Sequence, residues 1–212
     1  MNKRILFSLA YVMFFISGCR MESNDAYTRA VTRARYSKDS FLKGSNESPM
    51  DLKAKKELIS LSYFEPDSGY KVKARLELFD NPKSFKMQVT NSPPDDYFEL
   101  GYAIFSLDGH DCKLAVFQSA KYKNEPQVAN QLFCPFTDET NGKETYGGGR
   151  FLDLEQNPGS NNLTIDFNFA YNPYCAYNHD YSCPIPPLEN HLDFKVKAGE
   201  KAYKKGRFTF FK

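Results

Sequence analysis

Between Tyr70 and Phe79 apolar and polar residues alternate one for one: Tyr70, Val72, Ala74, Leu76 and Leu78 against Lys71, Lys73, Arg75 and Glu77. Side chains of a strand point to opposite faces in turn, so this pattern predicts a β-strand with one wet face. Further strand-like runs occupy 59–64, 85–90, 100–107, 114–119, 132–136, 151–154, 163–170, 194–196 and 207–211. Asp108-Gly109 between two of them signals a hairpin, with a loop longer than a two-residue turn. The N-terminal part follows a different period. From Asp25 to Leu42, Tyr27, Ala30, Val31, Ala34 and Phe41 share a helical face, with Asn24 as N-cap and Gly44 as stop. Arg29, Arg33, Arg35 and Lys38 fall on the rest of that helix, expected to be a solvated face. Ser48-Pro49 is placed to cap a short second helix over 50–56. Strands at this spacing, without long helices between them, predict a mainly β fold: an antiparallel β-sandwich or partly closed barrel with an N-terminal amphipathic helix. Neither an internal repeat nor a linker divides residues 25–212.

Composition supports this picture and adds a leader. The 212 residues include 19 Phe and 14 Tyr but no Trp, a supply suited to pleated, half-buried surfaces. At the N-terminus Lys3 and Arg4 precede an apolar run from Ile5 to Ile16 broken only by Ser8, and no acidic residue occurs before Glu22. That is the layout of a secretory signal, and the run is shorter than the roughly 20 residues a spanning helix needs. Ile16-Ser17-Gly18-Cys19 resembles the lipobox of bacterial lipoproteins, in which the cysteine becomes the acylated N-terminus; an ordinary secretory signal followed by a chance cysteine is the plainer alternative. The expected organisation is a signal peptide over 1–18, a lipidated tether over 19–24 and one β-rich domain over 25–212. The expected location is the cell envelope, with Cys19 anchoring the chain to a membrane.

Cleavage there changes the charge argument. The full chain carries 28 basic and 26 acidic residues, and loss of Lys3 and Arg4 leaves the two signs equal. A neutral chain without a long basic run argues against nucleic acid as a partner. Cys112, Cys134, Cys175 and Cys183 remain after Cys19 is taken up by lipid, an even number in a compartment that permits disulfides.

Two segments concentrate unusual residues. In the first, Gly147-Gly148-Gly149 precedes Arg150, so backbone N–H groups and a guanidinium are candidates to face an anion. The competing reading is a glycine-rich turn entering a strand, with Arg150 paired to Glu144 or Asp166. Asp153 and Asp166 are candidate acid–base carboxylates, or acceptors for arginine and backbone donors. In the second segment Asn168, Asn172, Asn178 and Asn190 interleave with Tyr171, Tyr174, Tyr177 and Tyr181. These asparagines either pin an irregular loop or help line a pocket for a polar, ring-containing ligand. Cys175 and Cys183 close a proline-rich loop as a candidate disulfide; reduced packed thiols, or zinc held with His179 and His191, are the alternatives. Proline-rich surroundings do not suit the four-residue ligand steps, so no metal or other cofactor is expected.

Together the two segments carry a family likeness. Gly142-Lys143-Glu144-Thr145-Tyr146-Gly147, Gly149-Arg150, Asp166-Phe167-Asn168, Tyr171-Asn172-Pro173, Cys175-Ala176 and Cys183-Pro184 resemble the bacterial and archaeal family known as domain of unknown function 1684. Phe169 departs from the pattern, since many relatives carry a basic residue there. The likeness implies a shared fold and no reaction. The expected function is therefore an envelope lipoprotein that binds a small polar or anionic ligand or a protein partner. Tyr146, Gly147, Gly149, Arg150, Asp153, Asp166, Asn168, Asn172 and Tyr177 are the candidate binding residues. The alternative is a hydrolase or transferase acting on an anionic envelope metabolite, in which Arg150 holds the anion and Asp153 or Asp166 is the base.

Overall fold

A computed structural model describes residues 15–122, 124–128 and 130–203. Helix α1 (Phe15–Gly44) and the short α2 (Leu52–Glu57) precede seven strands. These are β1 (Lys71–Met87), β2 (Asp95–Leu107), β3 (His110–Ser119), β4 (Gln131–Asp138), β5 (Arg150–Glu155), β6 (Asn162–Asp166) and β7 (His191–Leu192). The sheet runs β5-β4-β3-β2-β1-β6 with antiparallel neighbours, and β7 pairs in parallel with the end of β4. It curls into a half-barrel. The fold is mainly β, and of the two expected architectures it is the partly closed barrel.

The hairpin between β2 and β3 is tighter than expected. Leu107 pairs directly with His110, so Asp108-Gly109 is a two-residue turn. Both residues take positive φ, 50° and 79°, as the turn that matches strand twist requires. Most of the run at 70–79 and the start of that at 85–90 fuse into the single strand β1, which ends at Met87 and whose register against β2 slips between Leu78 and Lys83. Gly101 lies opposite this slip at φ +152°, and a Cβ there would collide with the Glu77 carbonyl. The slip ends the clean alternation: Ala74 and Leu76 are buried, whereas Leu78 is 44% exposed.

The concave core holds Leu76, Phe105, Leu114, Val116, Phe136, Leu152, Ile165 and Phe167. A second cluster joins Met87 of β1 to Ala115 and Phe117 on the alternate positions of β3, with Phe133 packed against it. Strands β3 and β4 pair only at Phe117 and Phe133. Beyond that point Asn190 substitutes for the missing ladder. Its side chain accepts from Ala115 N (2.7 Å) and donates to the Ala115 and Pro135 carbonyls (2.9 and 2.7 Å). Pro135 has no N–H to offer a neighbouring strand, and the buried amide satisfies groups that would otherwise be left without partners.

Several expected elements differ in the structure. Helix α1 continues through Asn24 and begins at Phe15, so the expected cap does not mark its start. Its buried face reads Val31, Asp39 and Leu42 with Tyr27, Arg35 and Lys38 half-buried, whereas Ala30 and Ala34 are exposed. The expected solvated face therefore holds for Arg29 and Arg33 only. Helix α2 is capped by Asp51, which accepts from Ala54 N (2.7 Å), because Ser48 donates to the Leu42 carbonyl (2.7 Å) to fix the preceding turn. Residues 59–64 form no strand: Asp39 accepts from Leu61 N and the Gly199 carbonyl accepts from Phe64 N, leaving one bridge, Tyr63 to Glu200. Strand β6 stops at Asp166, whose carboxylate caps a 3₁₀ turn over 167–169. Residues 194–196 are also irregular, held by the Phe194 carbonyl accepting from Glu139 N and by Val196 N donating to Asp138. The strand expected at 207–211 lies outside the described residues.

Candidate functional site

Strand β5 sends alternate side chains to opposite faces, and the two faces differ in chemistry. Arg150, Leu152 and Leu154 point to the core; Phe151 and Asp153 point the other way. Gly149 precedes them at φ +90°, where a Cβ would lie 2.8 Å from the Phe136 carbonyl and 2.6 Å from Pro186 Cγ. Close approach to β4 thus explains this glycine without an anion.

Arg150 is fully enclosed, at 0% exposure. It donates to Asp138 Oδ2 (2.6 Å), to the Val196 carbonyl (2.9 Å) and to the Ala198 carbonyl. Burial lowers its pKa and Asp138 opposes that shift, and the guanidinium lies 5.2 Å from the Phe136 ring centroid. The expected anion-binding role for Arg150 is corrected: its partner is Asp138, not a ligand and neither Glu144 nor Asp166. The preceding segment closes on itself in the same way. Asn141 accepts from Asp138 N (2.5 Å) and donates to the Tyr146 carbonyl (2.6 Å), while Thr140 and Thr145 share a hydroxyl bond of 2.8 Å. Gly142 N donates to the Thr145 carbonyl, and Gly149 N to that of Tyr146. Gly147 packs over Gly142 in this turn.

Asp166 and Asn168 form a second closed group. The Tyr27 hydroxyl is shared by both Asp166 oxygens (2.9 Å each), and Asn168 donates to Tyr27 Oη (2.8 Å) and the Asp67 carbonyl (2.7 Å). Asn168 also accepts from Asp67 N (2.9 Å). Burial and the Asp166 carboxylate push the Tyr27 pKa up. This cluster docks α1 on the end of β6.

A third group centres on Glu200, which is 0% exposed. Its carboxylate receives Lys38 Nζ (2.6 Å), Asn172 Nδ2 (2.9 Å), Asn172 N (3.2 Å) and the Tyr177 hydroxyl. Burial first, then the Glu200 charge, raises the Tyr177 pKa well above its ordinary value. Asn172 and Tyr177 are therefore parts of a buried network.

Cys175 and Cys183 are unbonded thiols at 4% and 5% exposure, packed against each other in place of the expected disulfide. Cys175 N donates to Cys183 Sγ (3.1 Å), and the Tyr146 hydroxyl lies 3.6 Å from Cys175 Sγ. Hydrogen bonding from Cys183 lowers the Cys175 pKa to about 6 against the opposing effect of burial, while the Cys183 pKa is raised. His191 sits instead on β7, with Nδ1 2.9 Å from Thr137 Oγ1. Among the described residues no group of His, Cys, Asp or Glu is arranged to hold a metal. Cys112 and Cys134 are buried, unpaired core residues, the latter pushed up to about 12 by burial.

Asp153 faces open space. It lies on the floor of a cleft of about 680 Å³ between the outer face of the sheet, α1 and the 171–184 segment. A run of rings forms the walls: Tyr97 to Phe133 at 5.9 Å, Phe133 to Phe151 at 4.9 Å, Phe151 to Tyr171 at 5.9 Å, and Tyr174 to Tyr181 at 5.5 Å between centroids. A second lobe of about 340 Å³ shares Tyr97, Phe133 and Asp153 and extends past Tyr122 and Gln131. The Tyr171 hydroxyl donates to Asp153 Oδ2 (2.9 Å). Burial raises the Asp153 pKa, and the Tyr171 hydrogen bond and the Lys38 charge oppose that rise. The carboxylate is thus accessible from the cleft while the surrounding protein deprives it of bulk hydration.

Of the nine candidate binding residues, Asp153 alone lines this cleft; Tyr171, Tyr174 and Tyr181 join it from the second segment. Tyr97, Phe133 and Phe151 carry no local mark that separates a cleft aromatic from a core one. The Lys38–Glu200 and Arg150–Asp138 pairs likewise carry no mark in the sequence, since no local spacing connects their members.

A curled β-sheet backed by a helix, with an aromatic cleft outside and three closed polar groups inside, defines a β-rich domain protein. More particularly, the chain belongs to the family described as Protein of unknown function (DUF1684), whose model matches residues 56–201. It is similar to an uncharacterised protein from gene locus rrnAC0354 of Haloarcula marismortui, solved in solution by NMR. The two share 33% sequence identity over 85% of this chain and 96% of that one, with a TM-score of 0.65. No curated protein matches the sequence.

Proposed function

We propose that this protein is a ligand-binding module held at a cell-envelope membrane through lipid on Cys19, and that its ligand occupies the aromatic cleft over Asp153. The cleft carries the reading. Its volume of about 680 Å³ falls within the range usual for small-molecule sites, and its lining combines apolar ring faces with few polar groups, as such sites do. The tether rests on the charge, apolar run and Ile16-Ser17-Gly18-Cys19 pattern of the leader. Among the described residues no helix is long and apolar enough to cross a membrane, so membrane residence in this reading depends on the lipid.

The hydrolase or transferase alternative gains no support, because it requires Arg150 and an aspartate to converge on one cleft. Asp153 opens to the cleft, whereas Arg150 lies on the opposite face of the same strand with its hydrogen bonds directed to protein.

A screen of small aromatic and polar compounds, followed by NMR of the tyrosine rings, tests the binding role. Binding compounds should shift Tyr97, Tyr171, Tyr174 and Tyr181, and a Tyr174→Ala/Tyr181→Ala variant should lose those shifts while keeping the remaining spectrum. Ligands that map elsewhere, or shifts that persist in the double variant, would sink the assignment. For the tether, Cys19→Ala should move the protein from the membrane fraction to the soluble fraction and abolish fatty-acid labelling.

A further inference from the structure

We infer that the cleft is selective for an organic ammonium group, seated against the aromatic rings with its charge directed at Asp153. The inference rests on the cleft being a binding site, as proposed above, and adds the chemical class of its ligand. Its basis is an imbalance of charge and hydrogen bonding on the cleft floor.

Among the described residues Asp153 forms no ion pair, and its one hydrogen bond comes from the Tyr171 hydroxyl to Oδ2. Oδ1 has no donor among the described residues. Lys38 also lines the cleft, but its ammonium is 2.6 Å from Glu200, a carboxylate at 1% side-chain exposure. Lys38 and Glu200 neutralise each other, which leaves Asp153 as the surplus charge among the described residues lining the cleft. An anionic ligand meets that surplus unfavourably. A neutral aromatic ligand fits the walls but leaves Oδ1 without a donor, whereas an ammonium group supplies both charge and, where it carries N–H, a hydrogen bond.

The walls favour the same choice. A cation is attracted to the negative face of an aromatic ring within about 6 Å of its centroid, and more strongly when water is excluded. The protein already uses one wall residue in this way: Lys38 Nζ lies 5.0 Å from the Tyr171 centroid, and 5.7 Å from that of buried Tyr177. Tyr97, Phe133 and Phe151 continue the ring surface past Tyr171 to the far side of Asp153, and no described cation is stacked on them.

Benzylammonium and benzyl alcohol provide the test, because they share a ring and nearly a shape but differ in charge. Tyrosine-ring NMR of the purified full chain at pH 7 gives both affinities. Benzylammonium should bind at least about tenfold tighter than the alcohol. Asp153→Asn should remove that advantage, since the amide oxygen can still accept from Tyr171 while the charge is gone. Tyr181→Leu should weaken both probes by removing a wall and leave their ratio intact. Equal affinities in the unaltered protein, or a preference that survives Asp153→Asn, would overturn the ammonium inference and leave the cleft as a site for another ligand. If neither probe moves the rings of Tyr171, Tyr174 and Tyr181, the cleft reading fails and this inference fails with it.

Discussion

Arg150 and Asp153 lie three residues apart on one short strand and illustrate opposite treatments of charge. Arg150 faces the core with three hydrogen-bond partners and an ion pair at zero exposure. Asp153 faces a cleft with one donor and, among the described residues, no ion pair. Period-two geometry alone sends them to opposite sides. The comparison teaches that unusual residue type is a poor guide to a site. The glycine-flanked arginine is a structural latch joining β4, β5 and residues 196–198, whereas the less conspicuous aspartate opens onto solvent.

The largest expected effect comes from breaking the latch. Arg150→Met should cost about 3–5 kcal/mol, because Asp138 is left as an uncompensated buried charge; urea unfolding measures it. A loss below about 1 kcal/mol would mean the pair is far better hydrated than its burial indicates. Next is Asn190→Leu, expected to cost about 2–4 kcal/mol by stranding Ala115 N–H and two carbonyls between β3 and β4. Hydrogen exchange at Ala115 should rise with it, extending the contrast from charges to a neutral group on the closed side.

Asp153→Asn should change stability by less than about 1 kcal/mol at neutral pH, in the stabilising direction. The sign follows from the raised folded-state pKa of Asp153. The folded protein holds this proton more tightly than the unfolded chain does, so the contribution of Asp153 is most favourable below its unfolded pKa. That contribution is lost as pH rises through the folded pKa. The advantage of the variant should therefore shrink as pH falls, as denaturation midpoints across pH 3–7 would show. A variant less stable than the parent at neutral pH would place Asp153 on the satisfied side of the comparison. The smallest effect concerns thiols. Cys175 alkylation should be slow but show an inflection near pH 6, as its lowered pKa requires, whereas Cys134 should react only on unfolding because it is fully buried.

Much of the sheet was legible because its signals are local. The alternation over 70–79 falls in a strand from Lys71 on, and the apolar runs at 100–107, 114–119, 132–136 and 151–154 lie wholly in strands. Their limits moved where a non-local partner intervened, as at Asp166, which ends β6 by capping the next turn. The helix face was misread for the same reason. Arg35 and Lys38 look like solvated residues, yet Arg35 donates to the Phe64 carbonyl at 2.7 Å and Lys38 pairs with Glu200. Half of the cleft was visible as tyrosines in an irregular loop; the other half, Tyr97, Phe133 and Phe151, sits on strands where aromatic residues signal core.

The fastening of α1 has a consequence for the order of assembly. Tyr27 reaches Asp166 across 139 positions, and Lys38 reaches Glu200 across 162. Contacts of such sequence separation form only after long loops have closed. During synthesis α1 leaves the ribosome well before its carboxylate partners. A nascent chain stopped short of Glu200 can pair its sheet but has nothing with which to neutralise Lys38. Seating of the helix, and with it the cleft's second wall, therefore waits on the segment that carries Glu200 rather than on the sheet.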